Sequence, residues 1–185
     1  MRKAIPMLVL ALLLAGCGSS SPEKPAAQTS LETKLKEILA VYKQGGTQAQ
    51  SDENHKKAVE MRDALFTELA GKPSFDGWLC KVSDVEKLSL SKQNELGLEV
   101  DCGFFTLYNA RGLTLSKPED NPQAIPTGHP LHDVLMRLNK NDMVKVSGAF
   151  KIFQGKIRES SLTTSGGMVK PELEASFNAV EPVKN

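Results

Sequence analysis

The stretch His129-Pro130-Leu131-His132-Asp133 gathers the side chains best suited to chemistry in this chain. Two histidines three apart on a helical turn can hold a metal ion, with Asp133 or a remote residue as third ligand. Pro130 offers a simpler reason for the pattern, because proline favours the first turn of a helix and would place both histidines at its start. A second polar cluster, Glu159-Ser160-Ser161-Leu162-Thr163-Thr164-Ser165, precedes Gly166-Gly167. A nucleophilic serine needs a base and an orienting acid. His132 and Asp133 are of the right types, but no Gly-x-Ser-x-Gly elbow presents Ser160 or Ser161 to them. The sequence also has no Cys-x-x-Cys pair, no glycine-rich phosphate loop and no paired-carboxylate signature. The residues favour binding over catalysis, with no cofactor and no bound metal. A metal-dependent factor or enzyme centred on His129, His132 and Asp133 is the alternative.

The first seventeen residues set the compartment. Arg2 and Lys3 precede an apolar run over residues 4–16. It is too short for a permanent bilayer span and has the layout of an export signal. Its end, Leu14-Ala15-Gly16-Cys17, resembles the lipobox of bacterial lipoproteins. That resemblance implies cleavage before Cys17, a thioether lipid on its sulfur and an acyl chain on its new amino group. Several chains together make a stable membrane anchor. Gly18 after the cysteine, where Asp would signal otherwise, is similar to lipoproteins addressed to the periplasmic face of the outer membrane. The whole chain carries 23 basic and 22 acidic side chains. Loss of Arg2 and Lys3 therefore moves the net charge from +1 to about −1. Near-neutrality argues against nucleic acid as a partner, since such binding rests on neutralising phosphates.

Residues 17–29 are rich in Ser, Pro and Ala and read as a lipidated tether. A helical segment over 30–71 follows. Thr29 and Glu32 stand at capping-box spacing, and Leu31, Leu35, Ile38, Leu39 and Tyr42 share one face of a helix over 30–43. A second helix over 51–70 carries Ala58, Val59, Leu65, Phe66 and Leu69 on one side. Gly71 is expected as its left-handed cap, with Pro73 preventing continuation.

From Phe75 the apolar period changes to two, opening a domain over 74–183. Residues 75–88 and 95–109 read as long strands joined by the turn Ser91-Lys92-Gln93-Asn94. Trp78, Cys80 and Val82 point inward on the first strand, and Leu96, Leu98, Val100 and Cys102 on the second. Gly97 and Gly103 mark places to bend. A proline-rich connection over 116–128 leads to a helix over 131–139, then to strands 142–153, 156–163 and 173–182. Thr164–Gly167 is expected as the turn after 156–163. Strand, strand, short third strand, helix, strand, strand is the order of a five-stranded OB-like barrel, with Gly148 at a corner. The fold class is thus α+β, a helical segment followed by an OB-like barrel with a short helix between strands three and four.

The runs "IPTGHPLHDVL", "DMVKVSGAF", "ESSLTTSGGMVKPEL" and "SFNAV" resemble a group of bacterial proteins with OB-like domains. The resemblance implies the fold and brings no activity with it. OB domains can hold single-stranded nucleic acid by stacking bases over a basic groove. Residues 75–185 hold 13 basic and 14 acidic side chains, so no such field is expected. A candidate binding surface is read at Tyr108, Lys145, Lys151, Phe153, Ser160 and Thr163, suited to an envelope protein, a peptide or a glycan.

Once Cys17 is acylated, Cys80 and Cys102 are an even pair in an oxidising compartment. Their midpoint is Ser91, in the expected turn. Antiparallel pairing about that point sets them opposite one another, and a disulfide between them is expected.

Overall fold

The structure is a computed structural model that describes residues 22–88, 95–111, 124–161 and 163–183. Two helices open it, α1 (Ala26–Tyr42) and α2 (Gln48–Ala70). Helix α1 buries Leu31, Leu35 and Ile38 as their spacing requires. It begins after Pro25, earlier than expected, so residues 26–29 belong to the helix and not to a tether. The Thr29/Glu32 capping box is not formed. Thr29 lies inside the first turn with its N–H on the Pro25 carbonyl, and Glu32 pairs with Lys24 at 2.6 Å.

The capping box is instead at Thr47 and Gln50, at the start of α2. Thr47 N–H donates to Gln50 Oε1 at 2.9 Å, and Gln50 N–H donates to Thr47 Oγ1 at 3.4 Å. At the other end Gly71 has φ −71°. That is right-handed, not the expected left-handed cap. The helix stops because Pro73 disfavours helical backbone at the residue before it. The two helices run antiparallel, with Lys34 paired to Glu68 at 2.8 Å.

Five strands close the barrel: β1 (Ser74–Lys87), β2 (Leu96–Asp101), β3 (Thr106–Tyr108), β4 (Met143–Phe150) and, reached after several further elements, β7 (Glu172–Pro182). Their order around it is β1-β2-β3-β7-β4, closed by β4 pairing with β1. All neighbours are antiparallel except β3 and β7, which run parallel. Between β3 and β4 the short helix α3 (His132–Leu135), shorter than the 131–139 expected, buries Leu135 in the core. This is the OB-like arrangement. Residues 95–109 are not one strand: Gly103, at φ +100°, turns the chain so that Cys102 N–H donates to the Phe105 carbonyl, cutting β2 from β3. The turn expected at 91–94 and most of the 116–128 connection lie outside the described residues.

The stretch after β4 departs most from expectation. Residues 142–153 break at Lys151, and residues 156–163 supply no barrel strand. The chain forms a small hairpin, β5 (Ile152–Phe153) and β6 (Lys156–Ile157), and then helix α4 (Thr164–Val169) where a turn was expected. Thr163 Oγ1 caps α4 by accepting the Gly166 N–H at 2.9 Å. Gly167 is small for a reason of space: a side chain there would strike Glu159 and Arg62, an ion pair at 3.1 Å that ties the loop to α2. Met168 is buried.

One hydrophobic core runs from the helices through the barrel, with Leu31, Leu35, Leu65 and Phe66 in the same cluster as Trp78, Val100, Val146 and Leu173. Phe75, Trp78, Phe105 and Phe150 stack within it, with centroids 5.0–5.6 Å apart where they touch. The disulfide Cys80–Cys102 forms, with Cα atoms 4.2 Å apart. Its residues continue the register Lys81↔Asp101 and Val82↔Val100, at the narrow, non-hydrogen-bonded kind of site. A loop of this length contributes about 3 kcal/mol in the chain-entropy model.

Pairing of β1 with β2 stops at Lys81, because β2 has turned away at Gly103. Leu79, two residues on, directs its N–H and C=O to that same side and meets no strand. The side chain of Gln28, fully buried, takes the strand's place. Its Nε2 donates to the Leu79 carbonyl and its Oε1 accepts the Leu79 N–H, both at 2.8 Å.

Two outcomes follow from this packing. Gln28→Ala leaves both Leu79 groups buried without partners, and should cost about 2–6 kcal/mol in denaturant unfolding, at about 1–3 kcal/mol per orphaned group. Gly148→Ala would drive a methyl onto the Ser176 carbonyl where β4 and β7 shift register. It should lower stability by about 1–3 kcal/mol, read as a drop in melting temperature; a neutral result would remove Gly148 as a barrel corner.

Candidate functional site

The outer face of β2, β3 and β7 carries polar side chains at every second position, because the alternate ones fill the barrel. Register places Glu99, Tyr108 and Glu174 in one row across the three strands, and Asp101, Thr106 and Glu172 in the next. Cations from the flanking segments close over them. Arg111 reaches Glu99 at 2.8 Å and Glu172 at 2.6 Å, with its guanidinium 4.1 Å above the Tyr108 ring. Glu174 is nearly buried and takes both Lys151, at 2.7 Å, and Arg158, at 3.1 Å. Asp101 pairs with Lys170 at 2.8 Å and accepts the Gly103 N–H at 2.7 Å.

These environments set the protonation states. Burial pushes the Tyr108 phenol above its ordinary value, Ser160 pulls it back, and the Glu174 charge adds to the rise. Burial also works against the charge on Asp101, but Lys170 and the Gly103 N–H outweigh it and hold the carboxyl below its ordinary value. Desolvation opposes the charge on Arg111, yet Glu172 and Glu99 keep it above the usual range. The result is a neutral phenol inside a net of matched charges. Such a surface can exchange its ion pairs with the charges of a bound molecule, and it holds the aromatic ring in one place.

Of the residues expected on the binding surface, the structure brings Tyr108, Lys151 and Ser160 together around Glu174. Tyr108 is buried beneath the net, not displayed on it. Ser160 Oγ lies beside the phenol, buried and short of good hydrogen-bond geometry. Phe153 is 59% exposed on the β5–β6 hairpin and joins the group through Arg158, whose guanidinium is 5.9 Å from its ring. Lys145 and Thr163 are placed elsewhere. Lys145 pairs across to Glu181, seven residues along β7 from Glu174, which is roughly 23 Å of strand. Thr163 is spent on the α4 cap.

Glu99, Asp101, Arg111, Arg158, Glu172 and Glu174 were not read from the sequence. The alternation Glu99-Val100-Asp101 and Glu172-Leu173-Glu174 was the available signal, acids every second residue on strands otherwise apolar. The histidine cluster does not assemble as a metal centre. His129 Nδ1 accepts the Leu131 N–H at 3.1 Å, Asp133 points to solvent, and no three potential ligands converge among the described residues. Ser161 Oγ donates to Glu159 at 2.8 Å and accepts the Glu172 N–H.

The Tyr108 environment can be tested by its titration. Its phenol should ionise above the ordinary value of about 10, followed by ultraviolet absorbance. The sign for stability follows: with its folded value raised, Tyr108 contributes stability below the unfolded value and loses it as pH climbs through the folded one.

No family model, curated protein or solved structure matches the chain.

Proposed function

We propose that this is a lipid-anchored protein of a bacterial cell envelope that acts by binding, not by catalysis. The observation that carries the binding half is the charge-matched net around Tyr108 on the outer face of a closed barrel. Its rim is partly exposed: Glu99, Asp101, Arg111, Glu172 and Lys170 keep 29–39% of their side-chain surface in solvent. Paired charges around a rigid ring suit a polar partner of either sign, an envelope protein, a peptide or a glycan, better than a polyanion. The fold is the OB-like one, and the resemblance of residues 125–180 to bacterial proteins of that class agrees with the reading without adding an activity.

The anchor half rests on Leu14-Ala15-Gly16-Cys17, and the Cys80–Cys102 disulfide supports it as a bond suited to an oxidising compartment. Helix α1 begins at Ala26. Eight residues then separate it from Cys17, a reach of at most roughly 28 Å. The domain is held close to the membrane, in our reading the periplasmic face of the outer membrane.

Cys17→Ser should abolish acyl labelling and release the protein from membranes; unchanged labelling and retention would sink the anchor. A photo-reactive side chain placed at Glu172 should give discrete adducts in intact envelopes, while the same group at Lys145, at the far end of β7, should not. No adduct from position 172 would count against this face as the binding surface.

A further inference from the structure

The β5–β6 hairpin is an excursion from the barrel. Along β7, the pairing Phe150↔Ala175 is followed two residues on by Glu159↔Leu173. Glu159 thus stands where Ile152 would have stood had β4 continued, and residues 152–158 are looped out of an otherwise unbroken ladder. Arg158 N–H donates to the Lys151 carbonyl at 2.7 Å and closes the neck. The tip turns at Gln154 and Gly155, with φ 50° and 77°, both left-handed as the tightest hairpin turn demands.

Its two strands are unlike, β6 facing the helices and β5 forming the outer edge. Ile157 is buried, and Lys156 pairs with Asp63 of α2 at 2.7 Å, so the loop is held firmly. Ile152 and Phe153 are 41% and 59% exposed, two of the four large apolar side chains that the described residues leave in solvent. The whole run, Lys151-Ile152-Phe153-Gln154-Gly155-Lys156-Ile157-Arg158, holds three cations and no acid. Among the described residues those three meet two carboxylates, since Lys151 and Arg158 share Glu174.

We infer that this hairpin docks on the anionic bilayer that carries the anchor, with Ile152 and Phe153 at the boundary between headgroups and acyl chains. The inference rests on the anchor half of the proposed function. Composition favours lipid over protein: apolar side chains ringed by lysine and arginine are the pattern of interfacial insertion, whereas lysine is depleted at protein interfaces. Two side chains are also too small a patch for a stable protein interface of about 800 Å² per partner. Beside a short tether they suffice, because the anchor makes the contact intramolecular. The hairpin lies within reach. Asp63 sits roughly 20 Å along the helix pair from the start of α1, by the antiparallel match of Lys34 with Glu68. The tether, which reaches roughly 28 Å at full extension, can span that.

The test uses the full lipidated protein and its Phe153→Trp variant, reconstituted in vesicles of phosphatidylethanolamine and phosphatidylglycerol with brominated acyl chains. The chain has a single tryptophan. Trp78 is buried in the barrel, so wild-type emission should not change with bromination. The indole introduced at position 153 should shift to the blue on reconstitution and lose most of its emission in brominated vesicles. A red-shifted, unquenched indole would overturn the inference. So would a blue shift without bromine quenching, which would place the hairpin against a protein surface. Mass analysis of the N-terminal peptide reads the anchor separately. Should it carry no acyl group, the same variant is added to excess vesicles; quenching there upholds the hairpin contact without the anchor, and its absence rejects it.

Discussion

The structure depends on the pairing of the Gln28 side chain with the backbone of Leu79. A closed barrel removes free edges, but this one has a gap in the β1–β2 seam where β2 turns away at Gly103. A primary amide offers one donor and one acceptor on the same side, as a peptide group in a facing strand does. Gln28 therefore completes the ladder from outside the sheet. To do so it must be helical, which explains why α1 starts before the nominal cap at Thr29. The helices thereby become part of the barrel's closure, and the core is continuous from Leu31 to Leu173. Just past β3, Asn109 meets Leu98 of β2 with its side chain and backbone together: its Oδ1 accepts the Leu98 N–H at 2.6 Å and its own N–H donates to the Leu98 carbonyl at 3.2 Å.

The disulfide lies next to that amide, one residue along β1. Together they pin the point where two strands part, the weakest place in the seam. From there β3 runs parallel to β7, and this single parallel pair brings the acids of β2 and β7 to either side of Tyr108. The Tyr108 net thus follows from the way the barrel closes. Its cations arrive from segments that leave the barrel at the strand ends: Arg111 after β3, Lys151 after β4, Arg158 from the neck of the hairpin and Lys170 after α4.

Legibility in the sequence tracked the range of the interactions. Burial on β1 and β2 was readable because period-two alternation is local, and the disulfide because its two cysteines lie on adjoining strands of one hairpin; pairing centred on Ser91 holds at Val82↔Val100 and Lys81↔Asp101 but shifts by one nearer the turn, at a bulge between Val82 and Asp84. Helix α2 also carries a readable local signal, Thr47 and Gln50 at capping-box spacing. Residues 156–163 misled because Ile157 and the serines mimic alternation, while β4 already covers β7 from Ala175 onward. Beside Glu172–Glu174 the β7 edge has room for one short segment, and residues 158–160 occupy it. The rest was left to form a hairpin and a helix.

The sequence by itself determined the helix–strand boundary near Pro73, the inward faces of β1 and β2, and the pairing of Cys80 with Cys102. All of these rest on neighbours within a turn, a strand or one hairpin. Tertiary structure alone decided that Gln28 replaces a strand and that Gly167 must be bare to admit an ion pair. It also decided that Tyr108 lies under Arg111 and not in solvent, and that Phe153 stands out while Ile157 is buried. Each of these joins groups far apart in the chain, so their contact exists only after the barrel has closed and fixed which strand lies beside which.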